Sequence, residues 1–437
     1  MNETHDPART SWVQSARGHA DFPIQNLPFG TFRRQGSTGP PSVGVAIGDQ
    51  ILDLAAAWES GTFTGAAARA AEACATSSLN SLMALGPDHW SALRRQASAL
   101  LAADSPAFRA DRRLGERVLV PMSDAELLLP AQIGDYTDFY ASVHHASNVG
   151  SMFRPDSPLF PNYKWVPIGY HGRASSIVPS GTPVRRPRGQ LKDPGTEAPV
   201  FAPSRALDYE MEIGCFVGLG NALGEPVPIE EAEAHLFGLS LVNDWSARDI
   251  QTWEYQPLGP FLSKNFATSV SPWVITMEAL QPFRMPQLER PPGDPAPLPY
   301  LDSPGNRQRG GVDVTVEVFL RTARMRAAGL PPHQVSRSRM AELYWTLAQM
   351  FTHHTSNGCN LQPGDLFATG TISGPEQDAR GCLLELTRRG SQPLSLPNGE
   401  SRKFLEDGDE VIMRGYCERP GTIRIGFGEC RGTVQEG

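Results

Sequence analysis

The chain has 437 residues, of which 40% are hydrophobic and 20% charged, with a formal net charge of −8. That length exceeds one ordinary core and points to two or three domains, and the apolar fraction is that of a folded protein rather than a disordered one. The negative balance, with no basic stripe among aromatics, argues against a nucleic-acid partner, and no run approaches the ~20 apolar residues of a membrane-spanning helix.

The polar start Met1–Asp6 lacks the apolar segment of a signal peptide. Cys74, Cys215, Cys359, Cys382, Cys417 and Cys430 form no C-x-x-C pair. Both features lead to the expectation of a cytoplasmic, reducing setting with free thiols. Residues 21–54, from Phe22 through Val43-Gly44-Val45-Ala46-Ile47 to Ile51-Leu52-Asp53-Leu54, read as short strands punctuated by glycine and proline. Residues 55–103 turn alanine-rich. Trp90, Leu93, Ala97 and Leu101 recur there at helical spacing behind the start signal Pro87-Asp88.

From about residue 118 the texture changes to apolar runs separated by segments dense in Gly, Pro, Asp and Tyr. Strands are expected at 118–120, 127–129, 208–218, 237–243, 312–321, 382–388 and 409–416. One helix is expected over 339–354, with Leu343, Leu347, Met350 and Phe351 on one face and Asn357-Gly358 behind it. Residues 285–311, rich in Pro, Gly and charge, read as an exposed excursion. Few helices are available to cover a parallel sheet, so the fold class is mostly β of the α+β kind and a doubly wound fold is disfavoured. The expected division is 1–129, a small β unit with attached helices, and 130–437, a larger β-rich domain.

Candidate chemistry begins at Asp208-Tyr209-Glu210-Met211-Glu212-Ile213. Residues two apart on a strand share a face, so Glu210 and Glu212 stand side by side and repel unless a cation joins them. The plain alternative is a solvated strand face. Asp135-Tyr136-Thr137-Asp138-Phe139-Tyr140 sets acids among aromatics. Asn243-Asp244-Trp245-Ser246-Ala247-Arg248-Asp249 follows the apolar run 239–242, which puts Asp244 at the end of a strand. These candidate ligands are all oxygens, a set that suits Mg²⁺, Ca²⁺ or Mn²⁺ rather than zinc or copper. Four carboxylates around one dication leave a negative site, so an anionic substrate needs cations nearby. Arg154, Arg248 and Lys264 are close in sequence, although each alone is more often a solvated surface charge.

His144-His145 offers a general base, set against the commoner structural role of a histidine. His353-His354 closes a helix and reads as structural, favoured as cations at its C-terminus. His171 lies in a glycine-flanked turn. Without a G-x-S-x-G elbow, Ser175, Ser176 and Ser246 make a weak case for an acyl-enzyme.

Asp135–Tyr140, Gly169-Tyr170-His171-Gly172-Arg173-Ala174-Ser175-Ser176, Asn243–Asp249 and Gly370-Thr371-Ile372-Ser373-Gly374 resemble segments of the fumarylacetoacetate hydrolase family. Phe22-Pro23-Ile24-Gln25-Asn26-Leu27-Pro28 and Asp407-Gly408-Asp409-Glu410-Val411 are similar too, in order, over nearly the whole chain. The resemblance implies a small SH3-like β-barrel domain at the N-terminus, a larger mixed β-sheet roll that carries the site, and a homodimer. It implies Asp138, Glu210, Glu212 and Asp244 as ligands of Mg²⁺ or Ca²⁺, with Lys264 and Thr268 also counted at the metal centre. It implies His145 as base with Glu385 orienting it, and Arg248, Gln251 and Lys264 around a developing oxyanion. Tyr140, Arg154, Tyr170 and Thr371, with Arg248 and Gln251, are the implied substrate contacts. The implied reaction is hydrolysis of a carbon–carbon bond in a dicarboxylate β-diketone, yielding fumarate and acetoacetate at the end of tyrosine and phenylalanine breakdown. Val143-His144 departs from the family's Arg-Gln, and residues 288–311 and 373–381 diverge. The alternatives are an acylpyruvate-type hydrolase or decarboxylase of the same superfamily, a noncatalytic metal-binding scaffold, and a non-haem iron oxygenase, which needs two histidines and one carboxylate.

Overall fold

A computed structural model describes residues 1–437. Phe29–Arg34, Ser42–Ile47 and Gln50–Asp53 form an antiparallel ladder that Leu119–Pro121 extends. Val43, Val45, Ile47 and Leu52 are fully buried in it. These strands do not close a barrel. Their ladder stays open, and Phe29–Arg34 pairs onward with Trp273–Thr276, joining a single sheet of thirteen strands. Gly30 permits that junction, because an added Cβ would lie 2.6 Å from the Trp273 ring. The segment around Phe22–Leu27 forms no strand. The Asn26 amide ties it instead to the carbonyls of Asp21 and Gly426, each at 2.7 Å.

The helix Pro87–Leu101 begins at the expected proline and buries Trp90, Leu93, Ala97 and Leu101, one face of a 3.6-residue repeat. Leu54–Glu59 and Gly65–Ala73 pack beside it around the same apolar cluster. No helix is long and apolar enough to cross a membrane.

At the centre of the large sheet Met211–Val217 lies antiparallel between Leu236–Asp244 and Leu366–Ala368. Leu366–Ala368 pairs in parallel with Tyr136–Phe139, and Leu236–Asp244 pairs with Thr268–Val270, setting Asp244 opposite Thr268. Met211–Val217 and Leu236–Asp244 are buried at every position, as strands covered on both faces are. Alternate residues feed different cores: Ile213 and Cys215 join one cluster, Phe216 and Val242 the other. A second sheet of five strands includes Thr315–Arg321, Glu410–Cys417 and Ile425–Gln435. Thr315–Arg321 alternates buried and half-buried residues, so only one face meets the core.

Three further expectations change. Residues 382–388 hold a short helix, Leu383–Leu386, instead of a strand. An apolar run of that length does not distinguish the two by periodicity. Here the Asp208 carboxylate accepts from the Leu383 and Leu384 N–H groups at 2.8 and 2.9 Å, which caps a helix start. The helix expected from 339 begins only at Leu347, behind a Thr346–Gln349 capping box, and runs to Thr355. Leu343, Leu347, Met350 and Phe351 are nevertheless all buried. Residues 285–311 are not a bare excursion. Leu301 and Asn306 are buried, and Thr346 Oγ1 donates to Asn306 Oδ1 at 2.7 Å.

Candidate active site

Neighbouring strands bring four carboxylates to one point. Asp138 lies in Tyr136–Phe139, Glu210 immediately ahead of Met211–Val217, Glu212 within it, and Asp244 at the end of Leu236–Asp244. One oxygen from each lies within 4.8 Å of the others, and all four side chains are buried. Glu210 and Glu212 meet there as their two-residue spacing requires. Asp138 Oδ1 and both Glu212 oxygens have no hydrogen-bond partner. Burial, followed by the neighbouring Asp244 carboxylate, holds the Asp138 carboxyl well above its ordinary range. Burial, followed by Asp138 and Asp244, does the same for Glu212. Orphaned buried oxygens are costly, and a divalent cation satisfies several at once. The donor set is all hard oxygen and fits such an ion.

Two cations already balance part of this charge. Lys264 Nζ ion-pairs with Glu210 and, at 2.6 Å, with Asp244. Burial opposes the charge on Lys264, but Asp244 and Glu210 outweigh it and hold the ammonium above its usual range. Thr268 Oγ1 donates to Asp244 Oδ1 at 2.9 Å. Lys264 therefore touches the centre through Glu210 and Asp244, and Thr268 through Asp244, and the Lys264 ammonium has no lone pair for a metal. Arg248 Nη2 lies 2.8 Å from Glu210 Oε1, its Nε 2.9 Å from Asp208 Oδ2, and its Nη1 donates to Gln251 Oε1 at 3.1 Å. Burial pushes the Glu210 carboxyl up, yet Lys264 and Arg248 hold it well below the ordinary range.

Beside the acids stands an imidazole. Ser142 caps the helix Val143–Phe153, accepting from the His145 N–H, and so fixes where His145 enters the site. His145 Nδ1 is 2.6 Å from Glu385 Oε2, and its Nε2 is 4.0 Å from Glu210 Oε1. Glu385 also accepts from Asn148 Nδ2 and Ser373 Oγ, each at 2.8 Å. Burial raises the Glu385 carboxyl, but His145 and these donors outweigh it and leave it at about 2. A carboxylate held ionised on Nδ1–H leaves Nε2 as the basic nitrogen. Cys382 Sγ lies 3.2 Å from Glu385, and burial pushes that thiol well above its usual range. His145, Cys382 and Glu385 are thus a hydrogen-bonded brace, not a second cation site.

Both groups face a cavity of about 490 Å³. Asp138, His145, Glu210, Arg248 and Lys264 line it. Tyr140, Arg154, Tyr170, Gln251 and Thr371 line it as well. Glu212, Asp244, Thr268 and Glu385 are not among the lining residues and reach the cavity only through their neighbours. The Tyr140 ring meets His145 edge-on at 5.4 Å, Tyr170 OH donates to Asp244 Oδ2 at 3.2 Å, and Thr371 Oγ1 is buried without a partner. The Arg154 guanidinium stacks on Phe160 at 4.0 Å.

Other sequence candidates lie elsewhere. His144 pairs with Glu342 at 3.7 Å, both half-buried. His353 and His354 end their helix, but burial lowers both imidazoles, so the expected role as helix-terminal cations does not hold. They bond neutral partners, Tyr300 OH and Thr137 Oγ1. His171, in the strand Gly169–His171, meets the His354 ring edge-on at 6.5 Å. The sequence reading missed Asp208, Asn148, Ser373 and Arg389, the last a lining residue of the cavity. Asp208 opened the acidic motif but offered no periodic signal of its own. The others are placed by contacts across the fold.

Comparison with known proteins follows the same line. Residues 135–435 match the family described as "Fumarylacetoacetate (FAA) hydrolase C-terminal" and residues 25–130 match "Fumarylacetoacetase N-terminal". The fumarylacetoacetase of Oryza sativa subsp. japonica is 50% identical over 427 residues, covering 97% of this chain and 96% of that protein. The human fumarylacetoacetase is 49% identical over 419 residues, covering 95% and 96%. A solved fumarylacetoacetate hydrolase from Exiguobacterium antarcticum shares the fold at a TM-score of 0.51 and 16% identity, covering 94% of this chain and all of that one. The chain belongs to the fumarylacetoacetate hydrolase family.

Proposed function

We propose that this chain is a metal-dependent hydrolase that cleaves 4-fumarylacetoacetate into fumarate and acetoacetate. The observation that carries the reading is His145, braced on Glu385, standing beside a cluster of four buried carboxylates, two of them with orphaned oxygens, at a cavity that His145, Asp138 and Glu210 line. Expelling a carbanion in water is difficult, and a β-diketone makes it feasible because the leaving carbon departs as an enolate. Asp138, Glu210, Glu212 and Asp244 would hold Mg²⁺ or Ca²⁺, which would supply Lewis-acid stabilisation of the developing enolate charge. His145 Nε2 takes a proton from the water that attacks the remote carbonyl. Gln251 spends its carbonyl oxygen on Arg248, so its NH₂ is free to donate to the oxyanion that forms. Arg248 and Lys264 hold Glu210 in place and add positive charge around the same atoms. Carbon–carbon cleavage then releases the acetoacetate half as its enolate, which is reprotonated. Tyr140, Arg154, Tyr170 and Thr371 bind the ends of the substrate.

The same reading includes a cytoplasmic role at the end of tyrosine and phenylalanine breakdown and a homodimer. An exposed apolar surface supports the dimer: Val200, Phe201, Trp253, Leu258 and Phe261 all face outward. It also keeps the division of the chain into 1–129 and 130–437, the first as a β unit with attached helices whose ladder is open and continues into the large sheet. The separate family matches over 25–130 and 135–435 support that division.

The test is the loss of the β-diketone absorbance of fumarylacetoacetate, with chelator and with added Mg²⁺. Chelator-sensitive decay with stoichiometric fumarate is expected. Absence of decay in folded, Mg²⁺-saturated protein rejects the reading.

A further inference from the structure

The substrate proposed above carries two carboxylates, and the cavity offers few cations free to meet them. Arg248 and Lys264 are each engaged by two buried carboxylates. Arg154 and Arg389 also line the cavity, and neither forms an ion pair. Each is presented in the same way. The Arg154 guanidinium stacks on Phe160 at 4.0 Å, and the Arg389 guanidinium on Phe153 at 4.3 Å, with Arg389 Nη1 3.4 Å from the Met152 carbonyl. Stacking on a ring fixes the guanidinium plane and leaves its edge to grip a carboxylate.

The backbone at Arg389 supports a functional reading. Arg388 and Arg389 follow the helix Leu383–Leu386 with φ of +46° and +58°. Left-handed helix ends are ordinarily glycine or asparagine, because a Cβ there is strained. Strain of this kind is tolerated where the side chain is used. The same helix carries Glu385, so the turn ties Arg389 to the brace behind His145. Arg389 itself is exposed, and packing does not call for it.

Resting on the functional reading above, we infer that Arg389 is a second carboxylate-binding residue, which makes the cavity prefer a dicarboxylate over a monocarboxylate. Arg389→Ala and Arg389→Lys in the full chain test it. With fumarylacetoacetate, Arg389→Ala is expected to raise KM about tenfold with kcat within about twofold, the loss of one charge-assisted contact, and Arg389→Lys to recover part of it. Calorimetric titration with octanedioate and octanoate reads binding without turnover. The unsubstituted chain should prefer the diacid, and Arg389→Ala should lose that preference. An unchanged KM, an equal loss for both acids, or no diacid preference in the unsubstituted chain overturns the inference. Failure to hydrolyse fumarylacetoacetate sinks the functional reading alone, and the two titrations still decide the role of Arg389.

Discussion

Asp208 Oδ2 accepts from Arg248 Nε at 2.9 Å while the same carboxylate caps the helix that carries Glu385. One fully buried side chain thus links the cation beside Glu210 to the brace behind His145. Burial raises the Asp208 carboxyl above its ordinary range, against the pull of Arg248 and the two N–H donors. Removing its charge leaves Arg248 buried beside a single carboxylate. Asp208→Asn is expected to destabilise the fold by about 3 kcal/mol, as for a broken buried pair. It should also lower kcat while leaving metal stoichiometry intact. Denaturant unfolding and steady-state kinetics read the two effects separately. Full activity in the folded variant would show that the link is structural only.

His145→Ala should abolish turnover and still bind the dication, because none of the four clustered carboxylates depends on the imidazole for its place. Glu385→Gln keeps the shape but removes the charge that favours Nε2 as base. Its kcat should fall by about 10²-fold or more, the usual worth of positioned proton transfer. Near-normal kcat in either variant rejects the base assignment.

Stripping the dication should lower the melting temperature. Asp138 Oδ1 and both Glu212 oxygens are buried without partners, so the native state gains from an ion that the unfolded chain does not bind. At a hundredfold excess over Kd the gain is about 2.7 kcal/mol. Thermal scans with chelator, then with Mg²⁺ or Ca²⁺ restored, measure it. Glu212→Ala should abolish most of the difference. A melting temperature indifferent to both ions would remove this centre from the mechanism.

Glu385 also sets an acid limit. Its carboxyl is held at about 2 in the folded protein against an ordinary value of 4.5. A depressed carboxyl contributes stability that is fully present above the ordinary value and is lost as pH falls through the folded one. The stability difference between the native chain and Glu385→Gln should therefore shrink from pH 4.5 towards about 2 and stay level above pH 5. A difference independent of pH across that window contradicts the assigned pairing.

Much of this was legible in the order of residues. The two-residue spacing of Glu210 and Glu212 put both on one side wherever a strand formed, because backbone pleating allows nothing else. The helical spacing of Trp90, Leu93, Ala97 and Leu101 defined a buried face in the same way. The long motifs around Asp138, Asp244 and Thr371 carried the family and with it His145 and Glu385.

Residues 382–388 show where local pattern ends. Their apolar run fits a strand as well as a short helix, and Asp208, far away in sequence, decides it by bonding two N–H groups. The N-terminal strands were separable on paper. Pairing of Phe29 with Val274 merges them into the large sheet, since an edge strand satisfies its backbone groups by meeting another. Which charges are spent and which stay free was likewise invisible. Arg154, Arg248 and Lys264 read alike as charges near the acidic segments and Arg389 was not singled out, until the fold placed carboxylates against Arg248 and Lys264 and phenyl rings against Arg154 and Arg389. The sequence determined the donor set and the local faces, because these depend on residue type and short-range geometry. Tertiary structure alone decided partners, exposure and proton affinity, because those depend on what distant segments bring into contact.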